Sequence, residues 1–188
     1  MAALIRATVC SANPHKLEEF EALFPDWDLE LLGNVGFPPE DGETYVENAL
    51  IKARFGRRVG PGDRLMLADD SGIEVAALDG APGVHTARWA DGRHVERLLD
   101  ALAGAADRHA RYVCELVALT QGEDEVRGTG VLSGEIALTA TGEEGFGFDP
   151  IFVPAGETQT VAVLGNDWKA THSHRALAAH ALRQTLEA

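Results

Sequence analysis

An α/β fold around a mixed sheet is what this sequence predicts, and three observations lead there. Short apolar runs, such as residues 4–10 and 65–68, alternate with segments whose apolar residues recur at helical spacing. From Arg111 to Leu138 the period becomes that of strands, and a turn at residues 121–124 adds an antiparallel section. No repeat or low-complexity tract interrupts the 188 residues, a length that suits one domain or two closely joined lobes.

The elements follow in order. After the first strand, Asn13 is a fair N-cap with Pro14 at the first helical position, and Leu17, Phe20, Leu23 and Phe24 mark the buried stripe. A loop rich in Gly, Pro and acid spans residues 33–42. Thr44-Tyr45-Val46-Glu47 then reads as a capping box opening a second helix, with Val46, Ala49, Leu50 and Ala53 inward and Lys52 and Arg54 on the polar sides. Residues 65–68 form a buried strand that ends at Asp69-Asp70, Ser71-Gly72 turn the chain, and Ile73-Glu74-Val75 begin another strand. Val95, Leu98, Leu99 and Leu102 mark an amphipathic helix. Residues 112–119 form a strand and 126–138 one or two more, and a last helix runs from about 173 to 186 behind Ser173 as N-cap.

Composition narrows the function. A net charge of -14 argues against a broad nucleic-acid surface, which needs a basic patch, but leaves room for a small anionic ligand held by a few cations and a metal ion. Cys10 and Cys114 sit in separate apolar runs outside any CxxC pair, as buried thiols of a reducing compartment do. No run approaches the about 20 residues of a membrane span, and no signal peptide is visible, so a cytoplasmic protein is expected.

Three stretches can carry chemistry. Ser11-Ala12-Asn13-Pro14-His15-Lys16 lies where a strand hands over to a helix, and helix-start amides with a lysine suit an anion. A capped helix with a solvated lysine leaves the same trace. In Ala68-Asp69-Asp70-Ser71-Gly72, strand alternation sends the two carboxylates to opposite faces, so one serves as ligand or base and the other supports it. Glu40 is able to complete an oxygen-rich Mg2+ site there. Phe146-Gly147-Phe148-Asp149 offers an aromatic wall and an acceptor for a heterocycle, or else a turn with core aromatics. Lys169, His174 and Arg175 bracket the start of the last helix, where basic residues oppose the macrodipole and fit an anionic or keto-bearing ligand, or else form a solvated basic cluster.

Taken together, SANPHKLEEF, ETYVENALIKA, LADDSGIEVAALDGAPGVHTAR, GFGFDPIFVP and KATHSHRAL closely resemble the Ham1/RdgB-type nucleoside triphosphate pyrophosphatases, in the family's order and over nearly the whole chain. The resemblance implies a single Ham1-like domain over residues 1–188, with an elongated mixed sheet flanked by helices and a substrate cleft between two lobes. It also implies a cytoplasmic homodimer that uses Mg2+ to hydrolyse ITP, dITP and XTP to the monophosphate and pyrophosphate, cleansing the nucleotide pool.

By matching motif, residues Ser11, Ala12, Asn13, Pro14, His15 and Lys16 line the triphosphate. Asp70 is the general base and a metal ligand, with Glu40 as the accompanying acid, and Ser71 touches the substrate. Phe146, Gly147, Phe148, Asp149 and Lys169 hold the nucleoside, while His174 and Arg175 read the purine's 6-keto edge. The chain departs from the family at Ala12 and His15, which stand where glycines are usual. Asp167-Trp168 replaces an acidic pair, and His172 an apolar residue. Maf-type pyrophosphatases and haloacid-dehalogenase-like phosphatases carry different motifs. A nucleotide-binding regulator without catalysis would have less use for Lys16, Glu40 and Asp70 together.

Overall fold

The computed structural model describes residues 4–89 and 92–186. Its strands are β1 (Ile5–Val9), β2 (Trp27–Leu31), β3 (Leu65–Val75), β4 (His109–Leu119), β5 (Glu125–Ile136) and β6 (Phe152–Pro154). Its helices are α1 (Pro14–Leu23), α2 (Tyr45–Val59), α3 (Thr86–Trp89), α4 (His94–Ala101), α5 (Val161–His172) and α6 (His174–Leu186). The six strands form one sheet in the order β2-β1-β3-β4-β5-β6. β1 runs parallel to both neighbours, with Ala7 opposite Leu29 on one side and Leu65 on the other, and β5 runs antiparallel to β6. The expected mixed sheet is therefore present.

The chain divides into two compact units. The described residues of the first are 4–70, 114–130 and 175–186. Here strand alternation splits the core into two layers. Ala7, Val9, Leu67, Cys114, Leu116 and Ala118 meet Phe20 and Phe24 of α1 and Ala178, Ala179 and Leu182 of α6. The alternate positions Met66, Ala68, Val117 and Leu119, with Cys10, meet Ala49, Leu50 and Ala53 of α2. Each fully buried Leu or Phe contributes about 1.5–3 kcal/mol. Contact with α2 is close, since a Cβ added at Gly56 would lie 2.3 Å from Cys10 Sγ. Both cysteines are buried free thiols, and burial pushes each up to about 12.

The local signals for the first two helices hold. Asn13 caps α1 through its side-chain oxygen, which accepts the His15 N–H, and Pro14 opens the helix. Thr44 and Glu47 form the reciprocal capping box of α2. β4 turns into β5 at residues 120–124, where the Thr120 N–H donates to the Asp124 carbonyl.

The second unit comprises residues 71–113 and 131–174, of which 90 and 91 lie outside the described residues. Its core joins Ile73, Val75, Ala110, Tyr112, Ile136, Ile151 and Phe152 to Leu98 of α4, with Leu102 just beyond that helix.

One expectation is overturned. β3 does not end at Ala68 and turn at Ser71-Gly72; it runs unbroken for 11 residues through both aspartates. The turn preference of Asp, Ser and Gly is overridden because both carboxylates find partners on the flanking helices. β2, β6, α3 and α5 have no counterpart in the sequence reading. Among the described residues no helix is long and apolar enough to cross a membrane.

Candidate functional site

In the first unit, the continuity of β3 decides what its two acids do. Asp69 follows the Leu67 side of the strand and faces α1 and α6, whereas Asp70 follows Ala68 and faces α2. Lys16 Nζ donates to Asp69 Oδ1 at 2.8 Å, and Arg175 donates to Oδ2 from Nη2 at 2.9 Å and from Nε at 3.2 Å. Arg175 also donates from Nη1 to Glu19. Burial alone would raise the Asp69 carboxyl, but Lys16 and Arg175 outweigh it and hold the group well below the usual carboxylate range. Burial likewise disfavours the Arg175 cation, yet Asp69 and Glu19 raise it further above its usual value.

Asp70 has a different environment. Asn48 Nδ2 donates to its Oδ2 at 2.9 Å, and the oxygen of the same amide accepts the Gly42 N–H at 2.9 Å. Asn48 thus ties the acidic loop to α2 and aims one amide at the carboxylate. Lys52 Nζ lies 3.1 Å from Glu40 Oε1 and 3.7 Å from Asp70 Oδ1, so one ammonium bridges both acids. Burial, aided by Glu40, raises the Asp70 carboxyl above its usual value despite Lys52, Asn48 and Lys16. Burial also works against the Lys52 charge, but Asp69, Asp70 and Glu40 prevail and raise its pKa.

Lys52 and Asn48 are the site residues that sequence reasoning missed. Lys52 was assigned to a polar side of α2, yet it is buried, as are Tyr45, Asn48, Ala49, Ala53 and Gly56. The signal was available, because positions 45, 48, 52 and 56 share one helical face beside the alanine line. A lysine there is buried only because two carboxylates await it.

The loop of residues 11–16 supplies backbone groups at the start of α1. Ser11 Oγ accepts the Asn13 N–H at 3.0 Å, while Asn13 Oδ1 is spent on the cap. Ala12, Pro14 and His15 are exposed, and His15 Nδ1 lies 3.3 Å from Glu18 Oε2. Lys16 is the side chain of this loop that reaches the acids.

In the second unit, Asp149 is the hub. Its Oδ2 accepts the Lys169 ammonium and the Phe146 N–H, both at 2.9 Å, and its Oδ1 accepts the Tyr112 hydroxyl at 3.3 Å. The turn that brings Phe146 back to Asp149 needs glycine at 145: φ is +78°, and an added Cβ would stand 2.2 Å from Asp149 Oδ2. Lys169 Nζ also lies 4.5 Å from the centroid of the Phe146 ring, which remains 41% exposed. Phe148 is a core residue, with the His94 ring edge-on to it, so of the two aromatics in this loop Phe146 has the face to offer. His174 stacks on Tyr112, with ring centroids 4.6 Å apart and planes within 9°. Ser71, half-buried on β3, and Gly147 also belong to this unit. The expected residues thus form two sets: 11–16, Glu40, Asp70 and Arg175 in the first unit, and Ser71, residues 146–149, Lys169 and His174 in the second.

Two carboxylates bridged by an ammonium suit Mg2+, which takes one or two protein carboxylates and completes its shell with water and substrate phosphate. Chemically, the first set combines cations for phosphates with an acid of raised pKa, and the second pairs a buried donor with a buried acceptor beside an exposed ring.

Comparison with known proteins identifies the family. The model of the Ham1 family matches residues 7–185. A dITP/XTP pyrophosphatase of Leifsonia xyli subsp. xyli is 41% identical over 197 aligned positions, covering 98% of this chain and 97% of the relative. One from Bdellovibrio bacteriovorus is 36% identical, covering 95% and 96%. Among solved structures, the Staphylococcus aureus Ham1 protein superposes with a TM-score of 0.84 at 34% identity, covering 97% of this chain and 98% of that one. A HAM1 protein from Coxiella burnetii gives 0.83 at 34% identity, covering 98% and 99%. Full-length agreement in sequence and in fold shows that the chain belongs to the Ham1 family.

Proposed function

We propose that this protein hydrolyses the non-canonical purine nucleoside triphosphates ITP, dITP and XTP to the monophosphate and pyrophosphate, thereby clearing them from the nucleotide pool. The observation that carries the reading is the Lys169–Asp149 pair, a donor and an acceptor 2.9 Å apart and both buried. A 6-oxopurine presents the complement, an O6 acceptor next to an N1–H donor. Adenine presents the reverse, an amino donor next to a bare N1. Each unpaired buried group costs about 1–3 kcal/mol, so two mismatches disfavour ATP by at least roughly thirty-fold. Phe146 stacks on the base, and His174 adds a further contact at its polar edge. Arg175 enters through Asp69 and Glu19, which hold its guanidinium. A direct contact with O6 would require it to exchange one of those carboxylates for the ligand.

Hydrolysis follows from the first set. Lys16, Lys52 and the amides of residues 11–16 bind the triphosphate. Glu40 and Asp70 would hold Mg2+, whose bound charge neutralises phosphate oxygens during attack. Asp70 accepts the proton of a water that attacks the α-phosphorus, the bond to the bridging oxygen breaks, and pyrophosphate leaves. A cation held by Glu40 and Asp70 would oppose the burial that raises the Asp70 carboxyl, and so favour the ionised form a base needs. A homodimer in the cytoplasm is part of the same reading, supported by family membership, and sedimentation of the pure protein tests the dimer.

Steady-state turnover of ITP, XTP, dITP, ATP and GTP, with and without Mg2+, tests the proposal. The keto purines of the non-canonical set should be turned over fastest and only with the metal. Equal turnover of ATP, or an Asp70→Asn variant with near-normal activity, would overturn it.

A further inference from the structure

Tyr112 belongs to none of the motifs that carry the family resemblance, yet it touches two of the polar groups assigned above to the base, Asp149 and His174. It lies on β4, buried, in the core of the second unit. Its hydroxyl donates to Asp149 Oδ1 at 3.3 Å, its ring lies parallel to His174 at 4.6 Å, and Phe152 lies against it, tilted, at 4.5 Å. The geometry points to Tyr112 as a positioning residue that sets purine specificity by fixing Asp149 and His174 relative to one another.

The two oxygens of Asp149 are unequal. Oδ2 receives two donors at 2.9 Å, one from Lys169 and one from the Phe146 backbone, which fills its acceptor capacity. Oδ1 receives the tyrosine hydroxyl at 3.3 Å, a length that leaves it the stronger remaining acceptor and the one available to a purine N1–H. Two bonds to one oxygen hold the carboxylate at one corner only. The hydroxyl at the other corner stops it from rocking about that anchor. The ring does the same for His174, because a parallel stack admits sliding but not tilting. A phenol is the one side chain that supplies both constraints from a single strand position. Phenylalanine keeps the stack and loses the hydroxyl; leucine loses both.

The inference rests on the base-reading role of Asp149 and Lys169, so its test carries a control for that role. The kcat/KM of the full-length enzyme is measured for ITP and ATP in Tyr112→Phe, Tyr112→Leu and Asp149→Asn, with thermal unfolding of each. Tyr112→Phe should melt close to wild type but lose about three- to ten-fold of the ITP-over-ATP ratio, mainly through KM for ITP. Tyr112→Leu should lose more of the ratio. A residue that only packs would lower the melting temperature in Tyr112→Leu and leave the ratio alone in both variants. That result, alongside an Asp149→Asn enzyme that has lost its preference, overturns the role of Tyr112 and leaves the base reading intact. An Asp149→Asn enzyme that still prefers ITP overturns both.

Discussion

Replacing Asp69 by asparagine isolates the buried cluster that fixes Lys16 and Arg175. The substitution keeps the shape and one acceptor while deleting the charge. In the native protein the carboxylate serves Lys16 at 2.8 Å and Arg175 at 2.9 and 3.2 Å. The Asp69 and Arg175 side chains are only 2% and 3% exposed, so solvent cannot replace the lost partner. Removing one member of such a pair costs about 3–5 kcal/mol. The amide oxygen still accepts one N–H and Glu19 still faces Arg175, which puts the expectation at the lower end, about 3 kcal/mol. For a chain of this size that is a fall in melting temperature of roughly 6–12 °C. Urea unfolding followed by tryptophan fluorescence measures it, since Trp27 sits in the same core cluster. The pH dependence gives an internal check. Asp69 is depressed in the folded state, so the unfolded chain binds the extra proton and the stabilisation is present above the usual 3.8. The gap between wild type and variant should therefore hold across neutral pH and narrow only as pH falls below that value. A loss under about 1 kcal/mol at neutral pH would refute the view that Asp69 compensates the buried charge of Arg175 and its neighbour Lys16.

Two further perturbations follow from the first unit. Lys52→Met removes the ammonium between Glu40 and Asp70, so the variant should be less stable without metal and gain more melting temperature from added Mg2+ than wild type does; equal Mg2+ shifts would contradict the bridging role. Gly56→Val drives a side chain into Cys10 Sγ, and should destabilise by about 1–3 kcal/mol in urea unfolding, whereas an unchanged midpoint would mean that α2 shifts freely on its sheet.

Much of this was legible in the sequence because local signals were unopposed. Asn13-Pro14 and the Thr44–Glu47 box open the helices they announce, since caps act within a few residues. Alternation along β3 separated Asp69 from Asp70 before any partner was known, and the partners proved to lie on opposite layers. What escaped depended on tertiary partners. The strand continues through Asp69-Asp70-Ser71-Gly72 because cations and an amide from α1, α2 and α6 offset the cost of burying the acids. Lys52 is inward for the same reason, and no propensity scale places a lysine there. Phe146 and Phe148 read alike in the sequence, and only packing sends one to the core and leaves the other exposed.

The central claim is that water attacks the α-phosphorus of a 6-oxopurine nucleotide and pyrophosphate leaves. Single-turnover hydrolysis of ITP in heavy-oxygen water, with mass analysis of both products, tests it most directly. Attack at the α-phosphorus places one labelled oxygen in the inosine monophosphate and none in the pyrophosphate. Label in the pyrophosphate, or inorganic phosphate as the first product, would contradict it.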